Sequence, residues 1–167
     1  MKQSEFDKLF PDGLKPDIIS PFVHKGKWAI HELLPIRLSK IGVASVRIAT
    51  FNISEDSLRP LFFMMERKEI SELRLLLDMN VKRHKIDMLF FAAHITPEIR
   101  LSSTHMKVML IENDRWNIRV AGSANMNNNP RYEAGFIFTD NPNYTYFRNV
   151  FEAVPSPHLT LPPQRHL

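Results

Sequence analysis

The residues with most chemical potential fall between Thr104 and Phe138, in THMKVMLIENDRWNIRVAGSANMNNNPRYEAGFIF. His105 and Lys107 are two positions apart, so on an extended strand they share a face while Met106, Val108 and Leu110 take the other. Ser123 and Asn125 repeat that spacing, and Gly122 and Ala124 are small enough to admit a ligand or a neighbouring backbone. If the two segments are neighbours with aligned ends, an imidazole, an ammonium, a hydroxyl and a carboxamide converge on one pocket. That set suits a phosphodiester. Lys107, Ser123 and Asn125 supply donors for the non-bridging oxygens as charge builds on a pentacovalent phosphorus. His105 is the expected nucleophile, neutral at one ring nitrogen and oriented through the other. Glu133, beyond the asparagine-rich loop, is the candidate orienting carboxylate.

The elements that must hold these groups can be read from hydrophobic period and turn residues. Trp28 to Ile41 has helical spacing with a possible kink at Pro35, and Gly42 follows as a stop. Ala44 to Ile53 is rich in β-branched and aromatic residues and reads as a buried strand. Leu58 to Ile70 is expected to be helical, Glu72 to Asp78 a strand, and Val81 to Ala92 a helix with the basic entry Lys82, Arg83 and Lys85. After Pro97 strands are expected at 99–104, 105–111, 116–123 and 134–139, with Asn113-Asp114 as turn chemistry, then a helix over Tyr144 to Val154. The order fits an α/β sandwich. Residues 1–22, with Pro11, Gly13, Pro16 and Pro21, read as an irregular N-terminal arm; 23–155 form the domain; 156–167 are a proline-rich tail.

The pattern H-x-K-x4-acid, then G-S-x-N and a glutamate, resembles the HKD motif of the phospholipase D superfamily. It is carried here by His105, Lys107, Glu112, Gly122-Ser123-Ala124-Asn125 and Glu133. Neither half of the pattern is informative alone; their joint occurrence in order and spacing carries the resemblance. It implies an α/β/α sandwich with a mixed β-sheet flanked by helices. It also implies a phosphohistidine intermediate, phosphate binding by the lysine and asparagine, and no metal or other cofactor. Since the chain has one motif, it looks like the short bacterial nucleases of that family, in which a homodimer brings two motifs together across a two-fold axis. Glu112 stands where the family usually has aspartate, a position that generally supports the fold. DNA is the substrate expected from the small single-motif size and basic charge. The competing expectations are a catalytically idle nucleic-acid-binding or assembly module, and a hydrolase of phospholipids or other phosphodiesters.

Composition agrees with one globular domain: 167 residues, 44% hydrophobic and 24% charged. With no cysteine, neither disulfides nor thiolate metal sites are available, and a reducing cytoplasm is the expected compartment. No membrane span is expected. The net charge of +4 is compatible with a polyanionic partner. Of the remaining histidines, His84 and His94 flank an apolar segment and His24, His31, His158 and His166 have no acid or cysteine at metal-ligand spacing, so no metal site is expected. The run from Lys82 to Lys85 reads first as a solvated helix face.

Overall fold

The computed structural model describes residues 3–127, 130–140 and 142–155. Its seven-stranded mixed sheet has the order β1-β7-β6-β5-β2-β3-β4. The strands are β1 Ile19–Lys25, β2 Ala44–Thr50, β3 Ile70–Asp78, β4 Ile99–Ser102, β5 Val108–Glu112, β6 Asn117–Gly122 and β7 Tyr132–Thr139. β2, β3 and β4 run parallel, while β5, β6, β7 and β1 alternate in direction. The helices are α1 Gln3–Leu9, α2 Leu33–Ile41, α3 Glu55–Glu66, α4 Met79–His84, α5 Ile86–Ile95 and α6 Asn143–Ala153.

Strand alternation sorts the two faces. Val46, Ile48, Leu73, Leu75, Met109, Ile111, Ile118, Val120 and Ile137 point to one face, where α2, α3 and α5 contribute Leu33, Leu34, Leu38, Leu58, Leu61, Met64, Leu89 and Ala92 to the main core. The opposite face is covered by α6, whose Phe151 packs on Ala49 and Leu76. Glu152 fixes that helix, because its carboxylate meets Arg47, Arg74 and Arg100 at 2.7, 2.8 and 2.9 Å, one arginine from each parallel strand. Burial opposes the charge on Glu152, yet these three guanidiniums hold its carboxyl below the usual range.

Several boundaries differ from the sequence reading for identifiable reasons. The segment 1–22 is not an irregular arm: α1 forms, and β1 pairs with β7 from Ile19↔Phe138 to Lys25↔Tyr132. Pro21 is tolerated because β1 is an edge strand. Phe6 and Phe10 seat the N-terminal segment by flanking the fully buried Arg37, with guanidinium-to-ring distances of 4.7 and 4.0 Å. Pro35 causes no kink, since it lies in the first turn of α2, where its missing N–H would have no helical partner. Helix α3 starts earlier than expected, with the Ser57 hydroxyl accepting from the Ser54 N–H at 3.1 Å across its first turn, and it stops before Lys68, whose φ of 56° turns the chain into β3. The expected helix over 81–92 is two helices that meet at Lys85, and His105 and Lys107 lie just before β5 instead of within it. The tail at 156–167 lies outside the described residues.

Candidate active site

The strand directions bring one set of ends together. The C-terminal ends of β1, β2, β3, β4 and β6 and the N-terminal ends of β5 and β7 share one edge of the sandwich. That edge carries Phe51, Asp78, His105, Lys107, Ser123, Asn125 and Glu133. The pairing of strands thus does what sequence separation cannot: His105 and Ser123 flank paired strands, because Val108 faces Ala121 and the Gly122 N–H donates to the Lys107 carbonyl at 3.2 Å.

His105 is exposed and Lys107 is 8% exposed. The Lys107 ammonium donates to the His105 carbonyl at 2.9 Å and lies 3.2 and 3.3 Å from the two ring nitrogens. An ammonium can only donate, so a ring nitrogen bonded to it offers a lone pair. Phe51, at the end of β2, backs the pair, with its ring 4.9 Å from the His105 ring and 5.6 Å from the Lys107 nitrogen. Burial lowers the Lys107 pKa, and the charge of Glu133 works in the other direction.

Ser123 and Asn125 follow the last ladder residue of β6, and they face different partners. The Ser123 hydroxyl donates to Glu133 and accepts from the Ala134 N–H at 3.0 Å. The Asn125 side-chain oxygen is 3.5 Å from the Thr50 hydroxyl, which also accepts from the Met126 N–H at 3.3 Å. Glu133 is 7% exposed and lies within β7, which begins two residues earlier than expected. The glycine pair Gly122↔Gly135 makes this arrangement possible. A Cβ on Gly122 would sit 2.5 Å from the Ala134 carbonyl, and one on Gly135 would sit 2.5 Å from the Ala121 carbonyl.

Three contributors escaped the sequence reading. Asp78, 5% exposed, accepts from the Asn80 N–H and from the Thr104 N–H, both at 2.9 Å, and so ties the start of α4 to the residue before His105. An aspartate between a strand and a helix is a recognisable cap signal, whereas its second bond is purely tertiary. Phe51 had no such signal. His24 pairs across strands with Glu133, is 6% exposed and packs 4.0 Å from the Trp28 ring. Burial lowers its pKa, with Glu133, Glu5 and Glu32 opposing and Lys27 reinforcing the shift. Glu112 lies at the far end of β5 and pairs with Arg148 at 2.9 Å and Arg47 at 3.5 Å, away from the site. Among the described residues, no three His, Asp or Glu side chains cluster as metal ligands.

The architecture has close counterparts among solved structures. Nuc from Salmonella typhimurium, described as a phospholipase D family member, matches with a TM-score of 0.60 and 15% identity over 82% of this chain and 94% of its own. NucT from Helicobacter pylori matches with a TM-score of 0.53 and 16% identity, over 82% of this chain and 96% of that one. A polyphosphate kinase from Porphyromonas gingivalis matches at 0.58 and 13% identity over 84% of this chain, which spans only 27% of the kinase. No family model matches the chain, and no curated protein matches it in sequence. The chain therefore has a phospholipase D-like α/β/α fold. Within that class it is similar in extent to Nuc and NucT, covering 94% and 96% of their chains.

Proposed function

We propose that the chain is a metal-independent phosphodiesterase that hydrolyses DNA through a phosphohistidine at His105, in a site completed by a second copy of itself. The observation that carries this reading is the convergence of His105, Lys107, Ser123 and Glu133 on one sheet edge, within the fold shared with Nuc and NucT. A ring nitrogen of His105 attacks phosphorus. Lys107, Ser123 and Asn125 hold the non-bridging oxygens, and Glu133 orients the imidazole. The P–O bond to the leaving group breaks as that oxygen takes a proton from His105 of the partner subunit. The same partner imidazole then removes a proton from water, whose oxygen attacks phosphorus, breaks the P–N bond and returns His105 with a phosphate monoester as product.

A two-fold site fits the one-motif sequence. It also fits the apolar side chains left uncovered beside α6: Val23 and Tyr132 are each 73% exposed, Ile19 56% and Phe136 48%. These lie on neighbouring strands β1 and β7, and Tyr132 adjoins Glu133. A second copy of the chain placed there would cover them and bring its own site close. The chain contains no helix among the described residues long and apolar enough to cross a membrane. With no cysteine to oxidise, it suits the reducing cytoplasm, where we place it.

Hydrolysis of a chromogenic phosphodiester and of plasmid DNA in excess EDTA tests the chemistry. Activity is expected to persist with chelator and to fall by at least about a thousandfold in His105→Ala, the scale on which loss of a covalent nucleophile acts. Activity that disappears with EDTA, or survives in His105→Ala, rules the mechanism out. Sedimentation is expected to show a dimer that Val23→Glu with Phe136→Glu converts to an inactive monomer; a fully active monomer rules out the shared site.

A further inference from the structure

We propose that the basic cluster Lys82, Arg83 and His84 on α4 is a second phosphate-binding point beside the reacting centre, so that the partner is a nucleic-acid strand held at more than one phosphate. The inference rests on the reading of His105 and Lys107 as a phosphodiester site.

Three observations place the cluster. β3 ends at the active edge, and α4 starts directly from it, so the cluster belongs to the same edge as His105. Asp78 accepts from the Asn80 N–H at the start of α4 and from the Thr104 N–H, which ties the helix to the segment that leads into His105. At the other end of α4, the Lys85 ammonium donates to the Asn52 side chain at 2.6 Å and to the Ile53 carbonyl at 2.8 Å, next to Phe51. The helix is therefore stapled on both sides to segments that contact the reacting histidine. In the strand order, β3 is two neighbours from β5, a lateral separation of about 10 Å. A small diester cannot span that distance, and a polymer with repeating phosphates can.

The ion pairs sharpen the contrast. Arg47, Arg59, Arg67, Arg74, Arg100 and Arg148 all meet carboxylates within the chain. Lys82 and Arg83 are exposed and have no carboxylate partner among the described residues. At the opposite edge of the sheet, the exposed cations Lys40, Lys68 and Arg115 share the edge with Glu69, Glu112 and Asp114, which offset their charge. Cations kept free at the edge that holds His105 favour an extended polyanion laid across the strand ends, because each contact gains from counterion release. This assigns a purpose to a basic run that spacing alone left as a solvated helix face.

The test is fluorescence-anisotropy binding of a labelled single-stranded oligonucleotide to the full chain at several salt concentrations. Lys82→Ala with Arg83→Ala is compared with Lys40→Ala with Lys68→Ala, a pair of exposed cations at the opposite edge that changes the net charge equally. The α4 pair is expected to weaken binding about tenfold near 0.1 M salt and to reduce the slope of log affinity against log salt by about 1.4, two phosphate contacts on a single strand. On an oligonucleotide substrate the same pair is expected to raise KM more than it lowers kcat. An equal loss from the control pair, an unchanged slope, or binding to anionic phospholipid vesicles in place of the oligonucleotide overturns the proposal. Turnover of the small chromogenic diester by the unmodified chain is measured in parallel. Its absence defeats the hydrolase reading while the binding comparison still decides the role of α4.

Discussion

At the residue scale, the site depends on groups that touch no substrate. Asp78 is buried and bonds two backbone N–H groups, one opening α4 and one adjoining His105. Asp78→Ala leaves both donors without their acceptor. Each bond to a charged partner contributes about 1.5–3 kcal/mol, so a loss of about 3 kcal/mol in urea-unfolding free energy is expected. As a positioning residue, Asp78 should affect kcat more than KM, since Thr104 sets the approach of the imidazole and not the affinity for phosphate. A kcat that stays at the unmodified value, measured where the variant is fully folded, would refute that role. Ser123 shows a related division of labour: its hydroxyl is already engaged by Glu133 and the Ala134 N–H, so phosphate binding by Ser123 requires it to exchange one of these partners.

At the scale of elements, the pairing of β6 with β7 matters most. Gly122 and Gly135 face each other, and the backbones approach too closely for a side chain at either position. Gly122→Ala must push β7 away, at a cost of about 1–3 kcal/mol for overpacking a tight contact. The same displacement separates Ser123 from Glu133. Reduced thermal stability together with lost activity is expected; an active variant with an unchanged melting temperature would show that the approach is not needed. Helix α6 works differently. It is held on its face of the sheet through Glu152 and its three arginines, which positions the uncovered apolar strip of β1 and β7 beside it.

At the scale of the whole molecule, buried histidines make stability depend on pH. His31 is 4% exposed, and burial lowers its pKa from 6.5 to about 4. His24 is shifted in the same direction by the same cause. Between about pH 4 and 6.5 the unfolded chain binds a proton at His31 that the folded chain does not, so stability falls as pH falls through that window. For His31 alone the total is on the order of 3 kcal/mol. Urea midpoints measured at pH 7 and pH 5 should show the loss, and His31→Leu should remove most of it. Equal midpoints at the two pH values would mean that the imidazole is accessible in the folded state.

The sequence alone supplied the candidate residues of the site. The residue types and motif spacing of His105, Lys107, Ser123 and Asn125 were legible because spacing is a local property, whereas the period-two placement on strands was not met: both pairs lie just outside β5 and β6. The parallel strands β2 and β3 and the enclosing helices α2, α3 and α6 were legible for the same reason, since each carries its own apolar pattern. Tertiary structure decided which partners those residues meet. Ser123 faces Glu133 because β7 flanks β6, and Asn125 meets Thr50 because the chain leaving β6 passes the end of β5 and bridges Met126 to Ile53 beyond β2. Proline-rich spacing concealed β1, whose strand character comes from pairing with a segment more than a hundred residues away. Phe51 meets His105, and Asp78 meets Thr104 beside it, through parallel crossovers, and no local pattern records which strand ends will share an edge. Direction and order of strands are properties of the assembled sheet, so the surroundings of His105 could be read only there.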